Sequence, residues 1–260
     1  AFFTMKNIAI EVFGSAKLIL PNRRFRLQFA FLVLLAALIP VTELLVIKLF
    51  TDLVIDGGNM ELSILAFSIL GVSALFVTTR VVNYIQKTYR VKFFDKSFEA
   101  DDRERSSTKE AWEWAMALEL VNVLSFITQI LVIAGFFFVL NWEFAIIVLI
   151  AALIVFEIFG RFFRRQQIIQ RGFVEKKRSK QEVRPADRLG SRIQSAEFVT
   201  LLASIFTVIL IAVLIFFGVT GITELSNTIV FFLGLRLLNT TYGSLAGSLM
   251  RFARAKANSF

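Results

Sequence analysis

Six apolar stretches, roughly 27–50, 62–86, 119–140, 144–163, 198–218 and 228–250, fill about half of this chain of 260 residues. Each is close to the ~20 residues that a helix needs to cross ~30 Å of hydrocarbon. The segments between them differ sharply in charge. The connections 51–61, 141–143 and 219–227 hold no Lys or Arg, whereas 1–26, 87–118, 161–197 and 251–260 hold 5, 7, 11 and 3, which is 26 of the 29 basic residues. Cytoplasmic loops carry the excess of Lys and Arg, so both termini and the two long connections are expected on the cytoplasmic side of a plasma (inner) membrane. The expected fold class is all-α integral membrane: a six-helix domain at 27–250, an N-terminal cytoplasmic or interfacial helix at 1–26 and a cytoplasmic tail at 251–260.

Composition narrows the function classes. At 57% hydrophobic residues with 30 Phe, and a mean hydropathy of +0.71, the chain has more apolar surface than a soluble core of this length requires. A net charge of +9 would suggest nucleic acid in a soluble protein. Here the basic residues lie on one face of a membrane domain, where they orient the chain and meet anionic head groups. Membrane lipid is therefore an expected partner and nucleic acid is not. Cys and His are both absent, which removes disulfides, thiolate nucleophiles, imidazole bases and the usual zinc ligands. No pair of carboxylates lies deep in the spans, so neither an intramembrane enzyme nor a metal or cofactor is expected.

Local patterns fill in the outline. Met5, Ile8, Ala9, Val12, Phe13, Ala16, Ile19 and Leu20 fall at the spacing of one helical face, with Lys6, Asn7, Glu11 and Lys17 off it. That pattern predicts an interfacial helix ended by Pro21 and held by Arg23, Arg24 and Arg26. Pro40 should tilt the outer half of span one. Asn141-Trp142-Glu143 is too short for anything but an antiparallel hairpin, with Trp142 at the interface. The segment 87–118 carries seven basic and seven acidic residues without Gly or Pro, and 161–197 is also poor in breakers before Pro185. Spans two, four and five should therefore project beyond the membrane. Gly243 and Gly247 suggest a close helix contact.

Several of these segments together resemble the transmembrane domain of ATP-binding-cassette (ABC) exporters. Leu18-Ile19-Leu20-Pro21-Asn22-Arg23-Arg24 is similar to the family's approach to its first span, and Leu53-Val54-Ile55-Asp56-Gly57 to the exit from it. Leu140-Asn141-Trp142-Glu143-Phe144-Ala145 looks like the family's hairpin between helices three and four. Leu249 to Ala253, with Ala255-Lys256-Ala257-Asn258-Ser259, is similar to the stretch before its nucleotide-binding domain. The resemblance implies a dimer, either a homodimer or a heterodimer with a homologous chain. It further implies exchange of the fourth and fifth helices, and an alternating-access cavity lined by several helices including the first and last. It also implies an ABC ATPase subunit as partner, reached through small transverse helices at the cytoplasmic tips. The chain holds no phosphate loop, no Leu-Ser-Gly-Gly signature and no His switch, so it is not itself expected to hydrolyse ATP. It opens on Ala1 rather than Met, and its connections are short, which leaves open that it is part of a longer product.

Charges inside the spans supply the site candidates. Arg236 lies eight residues from Thr228, roughly 12 Å deep at 1.5 Å per residue, and Glu43 nine residues from Asp52, about 13 Å deep. The resemblance makes these two helices neighbours around the cavity, so the two residues are expected to face the interior and either to pair or to meet an anionic substrate group, with Asn239 as a third cavity candidate. Arg80 reads as a snorkelling side chain, and Glu157 as an i,i+4 partner of Arg161. Phe93, Phe94, Asp95, Val183 and Leu189 are the candidates for coupling to an ATPase, while Trp112 and Trp114 are expected to seat at the bilayer surface. The expected function is a transport subunit of exporter type. The alternative is an exporter-like accessory subunit of a larger membrane complex with no transport of its own.

Overall fold

The computed structural model describes residues 3–20, 23–99 and 107–259. Pro21 and Asn22 of the expected approach motif, Ala100 of the first cytoplasmic tip, and the side chains of Met5, Asn7, Leu18 and Ile19 lie outside the description. Among the described residues seven α-helices follow one another: α1 (Phe3–Ile19), α2 (Arg23–Asp56), α3 (Leu62–Glu99), α4 (Ser107–Leu140), α5 (Trp142–Arg178), α6 (Pro185–Val219) and α7 (Leu225–Ser259), with a 3-10 turn at Gly57–Asn59. From α2 onward each is long and apolar enough to cross a membrane. The chain is an all-α, multi-pass membrane protein.

The helix ends follow from local chemistry. Asn141 leaves α4 in an extended conformation, and its side chain accepts from the Phe144 amide at 3.0 Å, capping α5. The hairpin thus turns within one residue. Pro185 starts α6 rather than interrupting a helix, because at the first position its missing N–H costs nothing. The turn before it carries Lys180 at φ 58°, and the turn between α6 and α7 uses Gly221 at φ 77°. α2 runs through Pro40 without a break.

The six spanning helices have two distinct ends. One carries the short loops 57–61, 141 and 220–224; the other carries the basic segments. At 38 and 37 residues, α3 and α5 are about 57 and 55 Å long against ~30 Å of hydrocarbon. Both start at the short-loop end, so both project well past the membrane at the basic end, as their sequences suggest.

α7 occupies the centre, packed against α2, α4, α5 and α6. Its most extensive interface is with α4. At Gly234 a Cβ would sit 2.5 Å from the ring of Phe137 on α4, so that ring packs against bare backbone. Gly243, expected at a close contact, instead has Thr200 at an ordinary 3.4 Å. α3 is the outlier: it packs along α2, and most of its apolar side chains, among them Phe67, Leu70 and Val77, are exposed. α5 and α6 pack on each other and on α7 of their own chain.

The apolar stripe of α1 is divided. Ile8, Val12 and Leu20 are buried, with the helix lying on α4 and α5, while Ala9 and Phe13 are exposed. Glu11, assigned by periodicity to the polar face, forms an ion pair with Lys256 near the end of α7.

Candidate functional site

The first intramembrane charge is not where the sequence suggests. Glu43 pairs with Arg80 of α3 at 3.5 Å, and the same guanidinium lies 5.3 Å from the centre of the Phe76 ring. Helix geometry explains the match. Glu43 is 13 residues before Asp56, about 20 Å from the short-loop end, and Arg80 is 18 residues after Leu62, about 27 Å from it. Side chains tilt toward the N-terminus of their own helix. In an antiparallel pair that tilt carries Glu43 toward the basic end and Arg80 toward the short-loop end, so the two close the gap. The expected Glu43–Arg236 pair does not form, and Arg80 is a partner rather than a snorkelling side chain. Glu157 and Arg161 do pair, at 3.5 Å.

Arg236 stands apart. It lies 11 residues into α7, about 16 Å from the helix start, and among the described residues nothing pairs with it. It falls on a stripe of exposed positions, Leu225, Ile229, Phe232, Arg236 and Thr240, which runs down the one side of α7 left uncovered by its neighbours. Asn239, three residues on, is half-buried between helices. Its Oδ1 lies 3.2 Å from the hydroxyls of both Ser204 and Thr207 on α6. Thr207 also reaches the Ala203 carbonyl at 3.1 Å, so one proton serves two acceptors. On the opposite flank, Gln129 of α4 donates to Thr241 at 2.8 Å. Asn239 is thus engaged in joining α6 to α7, while Arg236 points away from that contact.

A third polar group escaped sequence reasoning. At the short-loop end the Lys48 ammonium donates to Asp52 Oδ1 (3.1 Å), Ser226 Oγ (3.0 Å) and Asn227 Oδ1 (2.7 Å), using all three of its protons. Ser226 also donates to Asp52, and Asn227 Nδ2 lies 3.4 Å from the Leu140 carbonyl. Asn141 Nδ2 lies at the same 3.4 Å from the carbonyl of Ile222. These contacts clasp the ends of α2 and α7 to the α4–α5 hairpin. The only signal in the sequence was the i,i+4 spacing of Lys48 and Asp52. Ser226 and Asn227 lie 178 and 179 positions from Lys48, and nothing local points to them.

The basic end corrects the coupling candidates. Phe93 and Phe94 are buried, packed with Phe25 and Phe29 of α2 and with Phe98 and Trp114. They hold α3 to α2 and α4 and offer nothing to a partner. Trp112 lies beneath Arg254 at 5.2 Å, so neither tryptophan sits at a bare surface. Asp95 and Leu189 are exposed and Val183 is half-buried. Between α5 and α6 the chain makes a short turn over 179–184, with no transverse helix. Nearby, Arg251 pairs with Glu119 at 2.8 Å, and Arg192 stands close to Arg254, Arg251 and Arg188. Among the described residues no group of His, Cys, Asp or Glu is placed to hold a metal ion. The chain matches no model of a known protein family, and no curated protein is similar to it.

Proposed function

We propose that the chain is the membrane-spanning part of an exporter-type transporter, working as a pair of homologous chains around a water-filled cavity. ATP hydrolysis would be supplied by a nucleotide-binding unit outside these 260 residues, on the cytoplasmic side with the basic segments. The observation that carries the reading is Arg236. An Arg at the centre of a spanning helix costs at least ~2.5 kcal/mol on insertion scales and almost always faces the bundle interior or water. Arg236 is exposed on its own chain and close to mid-membrane, where snorkelling to either surface is hardest. Water or a second chain beside the uncovered stripe of α7 removes that cost, and a cationic group there suits an anionic substrate group.

The rival reading, an accessory subunit of a larger membrane complex, is favoured by the bare turn at 179–184, which gives an ATPase little to grip. Purification under mild detergent separates the two. The transport reading expects an ATPase to accompany the chain, and expects Arg236→Ala to assemble normally while losing substrate-dependent ATP hydrolysis. A stoichiometric complex without an ATPase would leave the accessory reading standing. An Arg236→Ala chain that works as well as the unaltered one would remove the argument for transport.

A further inference from the structure

Between α1, α2 and α4 an open groove of about 560 Å³ runs from the basic end into the membrane. Its walls are apolar, with Phe13, Leu20, Phe29, Val33, Leu34 and Leu124 along its length, and it carries two cations, Lys17 and Arg26. Among the described residues no acidic side chain lines it, and Glu11, the one acid of α1, is already paired with Lys256. Arg26 donates its Nε to the Leu20 carbonyl at 2.7 Å. That bond orients the guanidinium, while no described residue accepts from its two terminal nitrogens. Nothing described pairs with the Lys17 ammonium either.

Depth decides what such a groove holds. From Arg26 to Leu34 is eight residues, about 12 Å along α2. The cations therefore sit at the level of the head groups, and the apolar walls reach well into the acyl region. We infer that this groove is a binding site for an anionic glycerophospholipid of the leaflet at the basic end, its phosphate held between Lys17 and Arg26 and one acyl chain laid along Phe29, Val33 and Leu124. Apolar walls alone would accept any lipid. The two unpaired cations without a balancing carboxylate are what select a negative head group, at roughly fivefold per cation and about twentyfold for the pair. The inference rests on the membrane placement of the helices and is independent of the transport reading.

Native mass spectrometry of the purified chain, equilibrated with equimolar phosphatidylglycerol and phosphatidylcholine, tests it. Phosphatidylglycerol should be retained about twentyfold over phosphatidylcholine. Lys17→Gln should cut that preference about fivefold, with a smaller loss of phosphatidylcholine, whose phosphate is offset by its own choline. Ala30→Trp, which places a ring in the groove from an exposed position, should reduce both lipids; circular dichroism of each variant establishes that it folds. Equal retention of the two lipids, or a preference that survives both substitutions, would overturn the assignment. Displacement of the bound lipid by millimolar glycerol phosphate would overturn it in another way, by showing that the cations bind a free phosphate and the groove adds nothing.

Discussion

Arg80 and Arg236 are both exposed on spanning helices, about 27 and 16 Å from the short-loop end, and the two halves of the molecule treat them differently. In the α2–α3 half the charge is neutralised within the chain by Glu43 and lies against the Phe76 ring. In the α6–α7 half the neighbouring polar groups are all engaged, Asn239 with Ser204 and Thr207, and Thr241 with Gln129, and Arg236 is left to the one uncovered side of α7. A charge with its own counter-ion serves the fold of the chain. A charge without one needs something outside the chain, and that difference separates a structural arginine from a functional one here.

The largest effect should come from breaking the first half of the comparison. Arg80→Ala leaves the Glu43 carboxylate alone in hydrocarbon, at a cost of about 3 kcal/mol. Denaturant titration in detergent should detect it, and the exchange of Glu43→Arg with Arg80→Glu should recover most of the loss. If Arg80→Ala is as stable as the unaltered chain, the pair is not structural and the comparison fails. The inner face of α7 gives the next largest effect. Gly234→Ala drives a Cβ into the Phe137 ring and should cost about 1–3 kcal/mol, whereas Gly243→Ala should be neutral within about 0.5 kcal/mol. Thermal unfolding of the two side by side shows whether the close contact lies at Gly234. Smallest is the α6–α7 stitch: Asn239→Leu removes one interhelical acceptor and should cost about 0.6 kcal/mol, the average for such bonds in a membrane protein. A loss several times larger would mean that Asn239 has a role beyond joining two helices.

Much of the fold could be read from the sequence because it rests on length and on charge. The six spans, the tight hairpin at Asn141-Trp142-Glu143 and the projecting ends of α3 and α5 depend on local composition alone. The site was less legible because it depends on register between helices. Pairing Glu43 with Arg80 requires counting both helices from the Asp56–Leu62 turn and then applying the tilt of each side chain, whereas membrane depth together with the family resemblance suggested Glu43 and Arg236. Phe93, Phe94 and Phe98 stand in a polar stretch, and their spacing on one helical face is the sequence sign of their burial. The Lys48 clasp had no local sign beyond Asp52. The uncovered stripe of α7 could not be read at all, since α7 is apolar on several sides and only packing decides which one remains open.

A cavity beside Arg236 requires that stripe to meet water. The chain has no Cys, so single cysteines report without background. Phe232→Cys and Thr240→Cys flank Arg236 on the stripe; Leu70→Cys and Val77→Cys occupy exposed positions of α3 at similar depths of about 12 and 22 Å. In intact membranes, a small charged thiol reagent should modify the two α7 cysteines and leave the two on α3 untouched, because a charged reagent reaches only thiols in contact with water. Silence at both α7 positions, or equal modification of all four, would contradict a water-filled cavity beside Arg236.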